Sequence, residues 1–216
     1  MTTLPTSVND RVDVLGGSDA ATYCGVNPYD DQTELDLYKR CIGETPPFEP
    51  NLMMRIGTIL EAPVILPDYL ERTKVEPIEE SLAPNATFRH IDEPDLIVHP
   101  DLLTRQKNGR VRVTDFKTTW SDSYDEDGGE NLPIYNRFQL LHAWGVLHSL
   151  YGDELEPVAE NFVLRMFPRP QYALVTMKID ADLSKRCMGR GKMFLDKYVR
   201  PRKPPEPTPE DIRRQF

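Results

Sequence analysis

Two β-rich runs, Leu96 to Leu103 and Arg110 to Thr119, flank Lys107-Asn108-Gly109. This pattern predicts an antiparallel hairpin around which the rest of the chain must pack. The length of its turn decides what each face carries. A two-residue Asn108-Gly109 turn pairs Lys107 with Arg110 and Asp101 with Phe116, which sends Asp101 and Asp115 to opposite faces. A three-residue loop with Gly109 left-handed pairs Gln106 with Arg110 instead. Asp101 then lies opposite Asp115, and Lys117 follows on the same face, opposite His99. The expectation is the second register, with Gly109 at positive φ.

Two carboxylates and an ammonium converging on one face are costly without compensation, because like charges at cross-strand distance repel. A divalent cation is a natural remedy. Carboxylate and carbonyl oxygens suit Mg²⁺, with Mn²⁺ as a substitute, and the Phe116 carbonyl between the charged side chains offers a third ligand. The plainer alternative is a surface Asp–Lys cluster. His99 reads as a structural neighbour of Lys117 rather than a ligand.

Around the hairpin the pattern is α+β. Gly16-Gly17 followed by Ser18-Asp19 predicts a turn into a short helix capped by Ser18 or Asp19, broken at Gly25-Val26-Asn27-Pro28-Tyr29. Thr33 and Asp36 form a capping box for a helix to about Ile42, stopped at Gly43, with Pro46, Pro47 and Pro50 as a stiff link. Leu52, Ile56, Ile59 and Leu60 predict one amphipathic helix over about Asn51–Ile65 with a buried stripe. Residues 67–86 read as irregular or a short helix. Trp120 to Leu132, with Gly128-Gly129, reads as an acidic, mobile loop, and Pro133 opens a helix to about Leu150, stopped at Gly152. Ala159–Phe167 and Tyr172–Ile179 predict strands around Pro168-Arg169-Pro170, and a helix runs from Asp182 to about Val199. Pro201, Pro204, Pro205, Pro207 and Pro209 predict an extended tail. The expected fold is a central mixed β-sheet flanked by helices, with residues 1–200 as one domain and 201–216 as a proline-rich tail.

Composition narrows the function classes. With 216 residues, 39% apolar and 28% charged, the chain can bury a sizeable core. A mean hydropathy of −0.52 and the lack of a long apolar run exclude a membrane-embedded chain. The N-terminus lacks the pattern of a signal peptide. Cys24, Cys41 and Cys187, odd in number and far apart in sequence, suggest neither a disulfide framework nor a metal knuckle, so a reduced, intracellular protein is the default. The net charge of −9 argues against a nucleic-acid partner, but the average hides an asymmetry. Residues 185–203 carry eight bases and one acid, +7, which leaves −9 − 7 = −16 for the remainder. An acidic body with a basic segment is compatible with a metal-dependent enzyme acting on a polyanion, and equally with a solvated helix face.

Pro100-Asp101 followed by Asp115-Phe116-Lys117 resembles the signature of the PD-(D/E)xK nuclease superfamily. The resemblance narrows to the lambda-type phage exonucleases and their YqaJ-type viral recombinase relatives. Gly17-Ser18-Asp19-Ala20-Ala21 and Gly25-Val26-Asn27-Pro28-Tyr29 match the opening Gly-Ser/Thr segment and its Gly-x-x-Pro loop. Arg55, Gly57 and Glu61 match an Arg-x-Gly-x-x-x-Glu helix, and Tyr135 and Gln139 match the Tyr/Gln helix after the core lysine. The resemblance implies that Asp101 and Asp115 are metal ligands together with the Phe116 carbonyl, and that Glu61 reaches the metal. Lys117 would activate water and stabilise phosphate charge, with Gln139 fixing the water or substrate. It implies a restriction-endonuclease-like core and a Mg²⁺-dependent exonuclease of phage recombination, acting 5′ to 3′ on linear duplex ends. A single-strand annealing protein would be its partner, a homotrimer its assembly and the host cytoplasm its compartment. A structure-selective endonuclease and an inactive DNA-binding module are the alternatives.

Candidate DNA contacts are Ser18, Arg55 and Arg137, the hairpin tip (Arg105, Lys107, Arg110) and the C-terminal helix (Lys185, Arg186, Arg190, Lys192). Three scattered cysteines exclude the iron–sulfur cluster that some superfamily members carry. Asp19 stands where the lambda-type enzymes have an arginine for a DNA 5′-phosphate, and the middle acid is Asp where many have Glu.

Overall fold

The computed structural model describes residues 12–28, 32–45, 49–119, 132–166 and 169–214. The expectations for Tyr29, Pro46, Pro47, residues 120–131, Phe167 and Pro168 lie outside them. The first helices are α1 (Ala20–Tyr23), α2 (Glu34–Cys41), α3 (Leu52–Leu60) and α4 (Leu66–Thr73). There follow β1 (Glu76–Pro77), α5 (Glu79–Leu82), β2 (Phe88–Arg89), β3 (Ile97–Val98), β4 (Leu102–Arg105) and β5 (Val111–Thr119). The rest is α6 (Ile134–Tyr151), β6 (Leu155–Arg165), β7 (Gln171–Lys178), α7 (Ala181–Phe194) and α8 (Pro209–Arg213).

Five strands form a mixed sheet in the order β1-β4-β5-β6-β7, with only β5 and β6 parallel. The parallel pair requires a crossover, and α6 supplies it. Side chains alternate across β5. Val111 and Val113 join the larger core under α6, with Leu140, Leu147, Ala159 and Val163, while Phe116 joins Ile65, Tyr69, Leu102 and Phe162 on the other face. The sheet is thus sandwiched between α6–α7 and α4.

The hairpin adopts the three-residue register. Leu102 pairs with Thr114 and Arg105 with Val111, Gln106 N–H donates to the Arg110 carbonyl at 2.8 Å, and Gly109 has φ +81. One part of the expectation fails. The first run breaks at His99-Pro100-Asp101, because Pro100 lacks an N–H and cannot donate a ladder hydrogen bond. Ile97 and Val98 therefore pair with β2, and the ladder with β5 starts only at Leu102. His99 is not the rung opposite Lys117. Its Nδ1 lies 3.1 Å from Thr87 Oγ1 and 3.2 Å from the Ala86 carbonyl.

The expected buried stripe over Asn51–Ile65 is also corrected. No residue of α3 is buried, and Leu52 and Ile59 are 62% and 68% exposed. Pro63 cannot donate, and Glu61–Ile65 forms a wide π-turn in which the Leu66 N–H reaches the Glu61 carbonyl. The four stripe positions all precede this turn and stay on one side of α3, where Leu60 packs, partly buried, against the smaller core and the other three are exposed or half-exposed. Burial begins at the last residue of the turn, Ile65, and continues at Tyr69.

Two ends differ as well. Asp19 does not open its short helix as a cap. It reaches back to accept the Gly16 N–H at 2.7 Å and pairs with buried Arg40 at 2.8 Å. The C-terminal tail is not extended throughout. Thr208 caps α8 through a reciprocal box with Asp211, and Pro209 occupies a first-turn position whose N–H would have no partner within the helix. Asp211 accepts from Thr33 Oγ1 at 2.7 Å and Arg214 pairs with Asp36 at 2.9 Å, which fastens α8 to the start of α2.

Candidate active site

The odd-numbered face of β5 changes character along its length: Val111 and Val113 lie in the core, then Asp115 and Lys117 are half-buried. Lys117 Nζ lies 2.7 Å from Asp115 Oδ2. From above, α6 lowers Gln139 onto the pair. Its Nε2 donates to Asp115 Oδ1 at 2.9 Å and its Oε1 accepts from Lys117 Nζ at 3.3 Å, closing a three-residue ring. Helix α6 can approach because Gly17 lies beneath it, where a Cβ would stand 3.2 Å from Gln139 Cγ. The opening Gly-Ser segment thus underlies the Gln139 end of the site.

Asp101 sits one step before the first rung of the β4–β5 ladder. Its Oδ2 accepts the Phe116 N–H at 2.6 Å, replacing the backbone partner that the turn at Pro100 removes. Burial, with Asp115 and Glu61 nearby, raises the Asp101 pKa well above its ordinary value, against the opposing pull of Lys117 and the Phe116 N–H. Burial also raises Glu61, with Lys117 opposing and Asp115 adding to the shift. Burial works against the Lys117 ammonium, but Asp115 and Asp101 outweigh it and hold its pKa above the ordinary value. Three carboxylates thus feel one another around a single ammonium. A cleft of about 310 Å³ opens beside them, lined by Glu61, His99, Asp101 and Phe116, with Pro84 and Asn85 on the far wall.

The donor set suits a hard divalent ion: carboxylates of Glu61, Asp101 and Asp115 and a strand carbonyl at Phe116, with two of the acids raised in pKa by mutual repulsion and burial. The rotamers do not yet form a cage. Asp115 is turned to Lys117 and Gln139, Asp101 to the Phe116 N–H, and among the described residues no three acids, histidines or cysteines are grouped to hold a metal. For Asp115 to serve as a ligand it would have to give up one of these partners.

Sequence reasoning overlooked two features of this neighbourhood. Asn161 is fully buried beside Asp115 in the parallel ladder, and neither of its amide atoms has a hydrogen-bond partner among the described residues. Its one signal is a lone amide between Ala159 and Val163 on the core-facing side of β6. On the opposite face, Glu160 holds Arg112, Tyr69 Oη at 2.9 Å and, more distantly, Thr114, a buried polar brace under β5.

The candidate DNA contacts are spread over the surface. Ser18, Arg55 and Arg137 are exposed, as are Lys107 and Arg110 at the far end of the hairpin. Arg105 donates to the Gly109 carbonyl at 2.7 Å. On α7, Lys185, Arg186 and Arg190 are exposed, whereas Lys192 is paired with Glu93 and lies 3.4 Å from Asp196. Arg200 is likewise held by Glu93 and Asp95. Part of the +7 segment is therefore neutralised by the protein itself. No described helix is long and apolar enough to cross a membrane.

Comparison with solved structures shows the same restriction-endonuclease-like fold. LHK-Exo in complex with dAMP superposes with a TM-score of 0.64 at 15% identity, covering 88% of this chain and 90% of that one. The alkaline exonuclease LHK-Exo from Laribacter hongkongensis gives 0.56 at 14% identity, covering 87% and 88%. No curated protein sequence matches. The profile of the YqaJ-like viral recombinase domain matches residues 8–146, which span Ser18, Glu61, Asp101, Asp115, Lys117 and Gln139. Because that match covers more than half of its length, the chain belongs to the YqaJ-like viral recombinase domain family.

Proposed function

We propose that this chain is a divalent-metal-dependent DNA exonuclease that hydrolyses phosphodiester bonds at linear duplex ends, 5′ to 3′, in phage recombination. The observation that carries the reading is the convergence of Asp101, Asp115, Lys117 and Gln139 at one end of the hairpin, with Glu61 within electrostatic reach. Glu61, Asp101, Asp115 and the Phe116 carbonyl would hold Mg²⁺, or Mn²⁺ in its place. When bound, the ion supplies charge neutralisation at the phosphate and a more acidic water. Lys117, now paired with Asp115, would present its ammonium to the developing phosphate charge. Gln139, bonded to both, would orient water or substrate.

Asp19 is committed to Arg40 and Gly16 inside the protein and, as an acid, offers a 5′-phosphate no counter-charge. Ends with and without 5′-phosphate should therefore be degraded at similar rates. Leu52, Met53 and Ile59, exposed on one side of α3, support self-association, with a homotrimer as the expected state. A single-strand annealing protein is the partner that an end-resecting nuclease needs.

The test is degradation of linear and covalently closed duplex DNA with Mg²⁺, with Mn²⁺ and with chelator. Loss of linear DNA alone, abolished by chelator, is expected. Cutting of the closed circle would replace the exonuclease with an endonuclease, and no cutting of either would leave a DNA-binding module.

A further inference from the structure

Away from the site, two of the three cysteines meet. Cys24, the residue after α1, places its Sγ 3.7 Å from the Sγ of Cys187 on α7, although 163 positions separate them in sequence. Their approach is built in. Gly191, one turn on from Cys187, leaves room for the Tyr23 ring, which a Cβ there would meet at 3.4 Å, so α7 lies close against the end of α1. Cys187 is buried, while Cys24 is only partly so and lies at the end of α1, where the chain turns through Gly25 at φ +71.

The hydrogen-bond direction along this contact follows from its far end. The Ile97 carbonyl can only accept, so His142 Nε2 donates to it at 2.8 Å, and a neutral ring then accepts at Nδ1 from Tyr23 Oη at 2.7 Å. The Tyr23 oxygen is left to accept from the Cys187 thiol at 3.4 Å, and Cys187 sulfur to accept from Cys24. Both thiols are thereby held in line, one behind the other.

We propose that Cys24 and Cys187 are a redox-modifiable pair that closes to a reversible intramolecular disulfide under hydroperoxide, locking the end of α1 to α7. In the reaction two S–H bonds break and one S–S bond forms. Two electrons and two protons pass to the hydroperoxide, which leaves as two waters when it is hydrogen peroxide. The hydrogen bond between them draws the Cys187 thiol below its ordinary value against the effect of burial and pushes Cys24 above its own. Cys41 is an internal control: it is fully buried, with Sγ directed to the Val14 carbonyl at 3.7 Å.

The experiment treats the folded full-length chain with hydrogen peroxide, then counts thiols after unfolding and maps peptides without reductant. The expected result is a fall from three thiols to one, a Cys24–Cys187 linked peptide in the monomer, and full reversal by dithiothreitol. The closed loop is long, so melting temperature should rise by roughly 5–10 °C in the oxidised form. Cys24→Ser should abolish the link and the rise, and Cys41→Ser should keep both. Three surviving thiols, a link through Cys41, or Cys24 oxidised singly to sulfinic acid while Cys187 stays reduced would overturn the proposal. The readout needs no nuclease activity, so it stands or falls apart from the functional reading.

Discussion

At the residue scale, the site is a balance between one ammonium and three acids. Asp101 has its folded pKa above the unfolded value near 3.9. Its contribution to stability is therefore fully present below that unfolded value and is lost as pH rises through the raised folded value. Without added metal, the melting temperature should fall with increasing pH across that window, beyond what other carboxylates impose. Asp101→Asn should flatten the trend, and saturating Mg²⁺ should oppose it in the parent. An unchanged pH profile in the mutant would show that Asp101 is not the strained acid. In activity the same cluster predicts the opposite sign: Asp115→Asn and Lys117→Ala should each lose at least about 10²-fold, the usual cost of removing a charge stabiliser. Neither should unfold the chain, and Asp115→Asn should hold or raise melting temperature without metal, because it removes a like charge that repels Asp101 and Glu61. Wild-type rates in either variant would dissolve the assignment. These residues are legible because a hairpin register is integer arithmetic. Asn161 is not, because nothing in one chain marks which buried amide faces which carboxylate.

At the element scale, the site depends on how closely α6 can settle on the Gly16–Asp19 turn. Gly17→Val would place a Cβ 3.2 Å from Gln139 Cγ and 3.3 Å from the Gln139 carbonyl, so Gln139 must move off the Asp115–Lys117 pair. A displacement of about 1 Å costs up to about 10²-fold in rate. The expectation is a clear loss of turnover with near-native far-UV circular dichroism. Gly109→Ala is the contrast: φ +81 strains any side chain, but nothing lies within 4 Å, so it should lower stability by about 1 kcal/mol and leave turnover alone. If both variants behave alike, the close approach at Gly17 has no catalytic meaning. Elements with a local signature are legible in the sequence: the Thr33–Asp36 box, the Gly109 turn and the start of α6 at Pro133 all rest on neighbours in the chain. What escapes it is set by distant partners. The apolar stripe of α3 has the helical period but little core against it, and Pro209, expected to forbid helix, opens one that Thr33 and Asp36 then anchor.

At the scale of the whole molecule, a chain of net charge −9 must hold a polyanion by patches, and internal ion pairs decide which patches remain. Lys192, Arg200 and Arg202 are engaged with Glu93, Asp95, Asp196 and Asp13, so they stabilise the packing of the C-terminal segment and offer a phosphate less. Lys185, Arg186 and Arg190 stay exposed on α7, and Lys107 and Arg110 at the hairpin tip. Every cationic side chain withdrawn from a duplex phosphate reduces the slope of log affinity against log salt by about 0.9. Arg186→Ala combined with Arg190→Ala should therefore weaken binding to one duplex, with Ca²⁺ replacing Mg²⁺ to suppress cleavage, and flatten the slope by about 2. Lys192→Ala should change the slope little and lower melting temperature slightly, since it breaks a pair at a surface where such pairs contribute about 0–1 kcal/mol. In the sequence the whole +7 segment is one patch; the structure divides it into a clasp and an open face. Should Lys192→Ala flatten the slope as much as the exposed pair, the clasp opens on binding and Glu93 is only its resting partner. Should neither variant move it, α7 lies away from the DNA and the hairpin tip is the next surface to alter.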